Sequence, residues 1–180
     1  MKSKQLIIGV VILVLCVGGY FGLRAYNANE EKKEAAKTMT PVGVNQEDVT
    51  GFTYVYDEGI LIFEKDGDNW LYKDNTELDM TEDTINSMLE TVCTLTSEEM
   101  VTAENLSDYG FDTPENTITL ITAEGTTEIV IGMYNDMLSK YYMNINGSKD
   151  MYLIAGDVVT AFERSLDDLT VVQEESEDEE

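Results

Sequence analysis

The residues through which this chain could most readily do chemistry are carboxylates. "DGDN" from Asp66 to Asn69 sets two acids and an amide around a glycine, Glu98 and Glu99 stand side by side, and "LDDL" from Leu166 to Leu169 repeats the pairing near the C-terminal end. Oxygen ligands of this kind suit a hard cation such as Ca2+, and two acids held across a cleft hydrolyse glycosides. The spacing argues against both. An EF-hand loop alternates its ligands, carries a central glycine and closes on a glutamate, whereas here Gly67 comes too early and Trp70 and Leu71 come next. A hairpin turn accounts for Asp66 and Asp68, and a solvated helix end for Asp167 and Asp168.

Other catalytic machinery is missing from the sequence. There is no histidine, which removes the commonest general base and the commonest transition-metal ligand. No G-x-S-x-G is present. Of the two cysteines, Cys16 lies in an apolar run and Cys93 on the apolar side of an expected helix, where a thiol packs as a small hydrophobe. The expectation is a protein that is not an enzyme, with no catalytic residue, cofactor or metal ligand to name.

Charge excludes another class. The chain has 36 acids and 11 bases, a formal charge of −25, and six of the bases precede Thr38. From Thr38 to the C-terminus there are 5 bases against 33 acids, a net −28. Such a field repels phosphate backbones, so nucleic acid is not an expected partner.

The N-terminal run "LIIGVVILVLCVGGYFGL", residues 6–23, is 18 residues without a charge. As a helix it spans about 27 Å, close to a bilayer core, and it reads as a transmembrane signal-anchor. A cleaved signal peptide needs a shorter apolar region and small residues before the cut, which "RAYNANEE" does not offer. Leu13, Val14 and Leu15 before Cys16 argue against a lipoprotein signal. Lys2 and Lys4 favour a short cytoplasmic tail, residues 1–5, and export of the acidic domain, although Arg24, Lys32, Lys33 and Lys37 oppose them. Residues 24–48 read as a stalk and linker.

Beyond the linker the period changes to two. Phe52, Tyr54 and Tyr56 alternate with Thr53, Val55 and Asp57, and runs at Ile60, Trp70, Ile118, Ile129, Tyr141 and Met151 are separated by Gly-containing turns, Asn146-Gly147 among them. Two helices interrupt them. Thr81 caps the first, whose stripe is Ile85, Met88, Leu89, Val92 and Leu95; the second opens at Asp157 and buries Val158, Ala161, Phe162 and Leu166. The fold expected is α+β: antiparallel β-hairpin meanders with two packed helices, in two similar halves, over residues 49–169 and preceded by one transmembrane helix. Residues 170–180, ending "EESEDEE", read as a disordered acidic tail.

Seven aromatics fall on strands: Tyr54, Tyr56, Trp70, Tyr72, Tyr141, Tyr142 and Tyr152. Alternation assigns about half of them to the core. The others are a candidate binding face for a protein or a glycan.

"NLSDYGFDTP" (Asn105 to Pro114) lies between the first helix and the second meander. Gly110 suits a left-handed backbone, Pro114 presets an extended path, and Leu106, Tyr109 and Phe111 can pin a corner to the core. This stretch, extended as "ENLSDYGFDTPENTITL", resembles the linker of the DUF4340 family of bacterial proteins, in which a Leu-x-x-Tyr-Gly-Leu-x-x-Pro-like stretch precedes a strand. "ILIFEKDGDNWLY", "YYMNINGSKDMYLI" and "SLDDL" are similar to its other segments, so the resemblance covers residues 49–169, with Phe111 where leucine is usual. It implies a membrane-tethered extracytoplasmic domain, some members being associated with ABC-type transport systems of the gliding-motility kind. It implies no catalytic residue.

These readings converge on a non-catalytic interaction module anchored through residues 6–23, with a membrane or envelope protein as partner. The alternative is an extracytoplasmic divalent-cation-binding or wall- and glycan-associated domain using Asp66, Asp68 or the acidic tail.

Overall fold

The computed structural model describes residues 38–57 and 59–171. The expected cytoplasmic tail, transmembrane run, stalk to residue 37 and acidic tail from residue 172 lie outside the described residues. Among these residues no helix is long and apolar enough to cross a membrane.

Alternating sequence produces strands β1 (Val49–Tyr56), β2 (Gly59–Asp66) and β3 (Asn69–Tyr72), followed by helix α1 (Glu82–Cys93) and a short β4 (Met100–Thr102). A second run gives β5 (Asn116–Thr122), β6 (Gly125–Asn135), β7 (Lys140–Ile145) and β8 (Asp150–Ile154), then helix α2 (Asp157–Ala161). All eight strands lie in one sheet of order β3-β2-β1-β5-β6-β7-β8-β4, and neighbours run antiparallel. The domain is therefore mostly antiparallel sheet with two helices. Its two meanders join where β1 pairs β5, with Phe52 opposite Leu120. Register places the β1–β2 and β6–β7 turns at one end of the sheet, and the β2–β3, β5–β6 and β7–β8 turns at the other.

One face of the sheet meets both helices. Phe52, Tyr54, Phe63, Ile118, Leu120, Ile129 and Met143 are buried against Ile85, Met88, Leu89 and Val92 of α1 and Val158 and Val159 of α2. Each such side chain contributes about 1.5–3 kcal/mol by leaving water. The rings order one another: Phe52 stacks on Phe63 at 4.8 Å, and Trp70 meets Phe52 edge-on at 5.1 Å. Phe162, just past α2, meets Tyr54 edge-on at 5.4 Å.

Four local expectations change. Residues 39–48 are part of the body, not linker, because Met39 exchanges main-chain hydrogen bonds with Ser97 and Val42 is buried in the core. Thr81 makes no side-chain cap on α1; its main-chain N–H donates to the Leu169 carbonyl at 2.7 Å. The Glu82 carboxylate in that first turn instead accepts from the Trp70 N–H at 2.8 Å, fastening β3 to α1. Thr170 and Val171, expected in the tail, close back on Met80 and Asp79. Strand β4 was not expected: three residues are too few to alternate, and they are strand only because Val101 pairs with Met151.

Candidate functional site

The corner from Asn105 to Pro114 is built from its own side chains. The Asn105 amide donates to Asp108 Oδ1 at 3.1 Å and its oxygen accepts from the Ser107 N–H at 3.4 Å, opening a 3-10 turn over Leu106–Tyr109. Gly110, at φ 84°, ends that turn, and Glu115, after the exposed Pro114, donates to the Ile131 carbonyl at 2.8 Å to start β5. Tyr109 meets Tyr142 edge-on at 4.9 Å.

Its docking site differs from the expected one. Gly132 follows the core residue Ile131 and Tyr142 precedes the core residue Met143, so both point away from the helices. The corner therefore lies on the second face of the sheet, and Leu106, Tyr109 and Phe111 are half-buried there instead of entering the main core. Two glycines make the approach possible. A Cβ on Gly132 would collide with the Tyr109 carbonyl oxygen and stand 3.1 Å from the Phe111 ring, and one on Gly110 would stand 2.6 Å from the Met133 nitrogen. Met151 and Leu153, whose side chains also alternate to this face, are buried, as is Asn144, whose amide donates to the Ser148 and Asp150 carbonyls at 2.7 and 3.0 Å.

The seven aromatics do not form one binding face. Tyr54 and Trp70, at 0% and 2% exposure, are core, so neither can meet a partner. Burial also holds the Tyr54 phenol protonated well past its ordinary range, and its hydroxyl donates to the Arg164 carbonyl at 2.8 Å. Tyr72, Tyr141 and Tyr152 pack at the edge of that core, and Tyr142 lies under the corner. Tyr56, at 37%, is the exposed one.

The other candidates are spent on local structure. Gly67, at φ 63°, turns β2 into β3 between Asp66 and Asp68. Asp168 accepts from the Ser165 N–H and hydroxyl at 2.9 and 2.7 Å, bonds that hold its carboxyl below the usual range. Glu99 lies 4.0 Å from Lys140 in a surface pair. The half-buried Cys93 thiol is pushed up to about 11 by burial. Among the described residues no group of three acids or cysteines gathers to hold a metal ion.

Two open clefts run between the helices. One, about 320 Å³, is lined by Ser87, Glu90, Thr91, Thr94 and Asp157. Two of its hydroxyls are committed: Thr91 donates to the Ser87 carbonyl and Thr94 to that of Glu90. The second, about 260 Å³, has Asp83 and Arg164 in its lining, so an anion drawn to the guanidinium meets a carboxylate.

The sheet edges differ in a way the sequence did not reveal. Lys73, directly after β3, lies 2.6 Å from Glu64, and Lys65 of β2 lies over the Trp70 ring; charges of this kind guard an edge against added strands. Among the described residues β4 pairs with β8 alone, and it exposes Met100 and Val101.

A single antiparallel sheet, two helices on one face and a glycine-seated corner on the other define an α+β domain. The chain belongs to the DUF4340 family, described as a domain of unknown function, whose match runs over residues 70–176, more than half its length. The match begins at Trp70, although β1 and β2 are integral to the same sheet. No curated protein and no solved structure matches it.

Proposed function

We propose that this protein is a non-catalytic, membrane-tethered module whose extracytoplasmic domain binds a protein of a membrane or envelope complex. An ABC-type transport assembly is the kind of complex the family resemblance implies. In this reading residues 6–23 cross the bilayer, and the two meanders with their helices are counterparts of one another. The observation that carries it is the edge strand β4, which has no strand on its outer side among the described residues and itself carries the exposed Met100 and Val101. A partner strand adds to such an edge through main-chain hydrogen bonds, with alternate side chains conferring specificity. The net −28 of the exported part supports a partner surface that is basic around its apolar centre.

Site-specific photo-crosslinking of the full chain in intact cells tests the reading. A photoreactive residue at position 101 is expected to give one adduct with a membrane or envelope protein, while one at position 124, in the β5–β6 turn, gives none. No adduct at 101, or equal adducts at both, would refute it.

A further inference from the structure

Exposed apolar side chains are unevenly placed on this domain. Ten large ones are exposed among the described residues, and seven belong to the two hairpins that turn at one end of the sheet. Val55, Tyr56 and Ile60 flank the β1–β2 turn, Ile60 at 59% exposure. Met133, Tyr134, Met137 and Leu138 belong to the β6–β7 hairpin, where Met137 is 94% exposed. Its protrusion is organised: the Asn135 side-chain oxygen accepts from the Met137 and Leu138 N–H groups at 3.0 and 3.1 Å, so the loop holds both residues at the tip. Three inter-strand spacings, about 14 Å, separate the two hairpins across the sheet.

The chain joins the body at this same end. Met39 exchanges hydrogen bonds of 2.7 and 2.9 Å with Ser97, whose hydroxyl donates to the Leu153 carbonyl at 2.9 Å. Leu153 precedes Ile154, which faces Tyr141, and the next pair, Lys140 with Asn135, closes the protruding hairpin. Upstream of Met39, fifteen residues separate it from the end of the apolar run, a reach of at most about 50 Å.

We infer that this end of the sheet is a lipid-facing surface, with Met137, Leu138 and Ile60 seated among the headgroups and upper acyl chains of the bilayer that holds the anchor. The inference rests on the tether reading. Tyr56 and Tyr134 behind those tips are of the type that settles at a membrane interface. Asp57 and Asp136 in the same turns make the contact one for zwitterionic lipid, weakened by anionic headgroups at low salt. The domain thereby stands with its three other turns pointing away from the membrane and its β4 edge accessible from the side.

The test uses the full chain in phosphatidylcholine nanodiscs, with Cys16 and Cys93 replaced by serine and one environment-sensitive label at Met137→Cys, Ile60→Cys or Glu124→Cys. Quenching by doxyl-labelled lipid is expected to be several-fold stronger at 137 and 60 than at 124, and weaker in discs rich in phosphatidylglycerol. Incorporation without that difference overturns the inference and leaves the tether standing. Labels at 137 and 60 that become shielded only as protein concentration rises assign the surface to a second copy and also overturn it. A chain that does not enter the discs overturns the tether and, with it, this surface.

Discussion

Replacing Gly132 by alanine attacks the corner through a single methyl group. The added Cβ has nowhere to go: the Tyr109 carbonyl oxygen lies inside the 3.0 Å that real Cβ atoms essentially never breach, and the Phe111 ring stands 3.1 and 3.2 Å away. Because the nearest obstacle is backbone, no rotamer change relieves it, and the corner must lift off β6. Overpacking of this kind costs about 1–3 kcal/mol. Gly110→Ala adds a left-handed backbone penalty of about 1–2 kcal/mol to its own collision with Met133. Gly67→Ala is the control, since its φ of 63° carries the backbone penalty while nothing lies within 4 Å. Urea unfolding followed by the single Trp70 measures all three. Gly132→Ala should destabilise as much as Gly67→Ala or more, despite having no positive φ. The Gly110→Ala, Gly132→Ala pair should lose less than the sum of its parts, because once the corner has lifted the second methyl meets less resistance. A Gly132→Ala protein as stable as the parent, or strictly additive losses, would refute the reasoning.

The core yields two more expected outcomes. The Tyr54 phenol is raised above its ordinary 10.0 by burial, so the unfolded chain ionises first; stability is full below pH 10 and falls as pH rises beyond it. Tyr54→Phe should flatten that alkaline slope in thermal melts while costing about 0.5–1.5 kcal/mol at pH 7 for the lost bond to the Arg164 carbonyl. Glu82→Ala leaves the Trp70 N–H without its acceptor and should cost about 1–3 kcal/mol, with a red-shifted Trp70 emission if β3 loosens from α1.

Much of this architecture was legible because the period-two pattern records which residues share a face. Asn146-Gly147, with φ of 53° and 63°, turns β7 into β8 as its composition implies, and the stripe from Ile85 to Val92 is the buried side of α1. Alternation does not say what covers each face. Tyr54 and Tyr142 both alternate correctly, yet one lies beneath helices and the other beneath a corner, and Tyr56, in phase with Tyr54, is exposed at the sheet end. Long-range pairing was equally silent: the β1–β5 junction and the three-residue β4 depend on partners dozens of residues away. The clustering of exposed apolar residues at one end emerges only when register brings the Ile60 and Met137 turns together. No local signal marks either residue.

An apolar N-terminal run that keeps this acidic domain tethered to the outer side of a membrane is the proposition on which the functional reading depends. Intact cells carrying the full chain with Cys93→Ser and Glu124→Cys can be treated with a membrane-impermeant maleimide, and their membranes then washed with alkaline carbonate. Tethering predicts labelled, full-length protein in the carbonate-resistant fraction. Label acquired only after lysis, or a washed-off chain lacking about its first thirty residues, would contradict it.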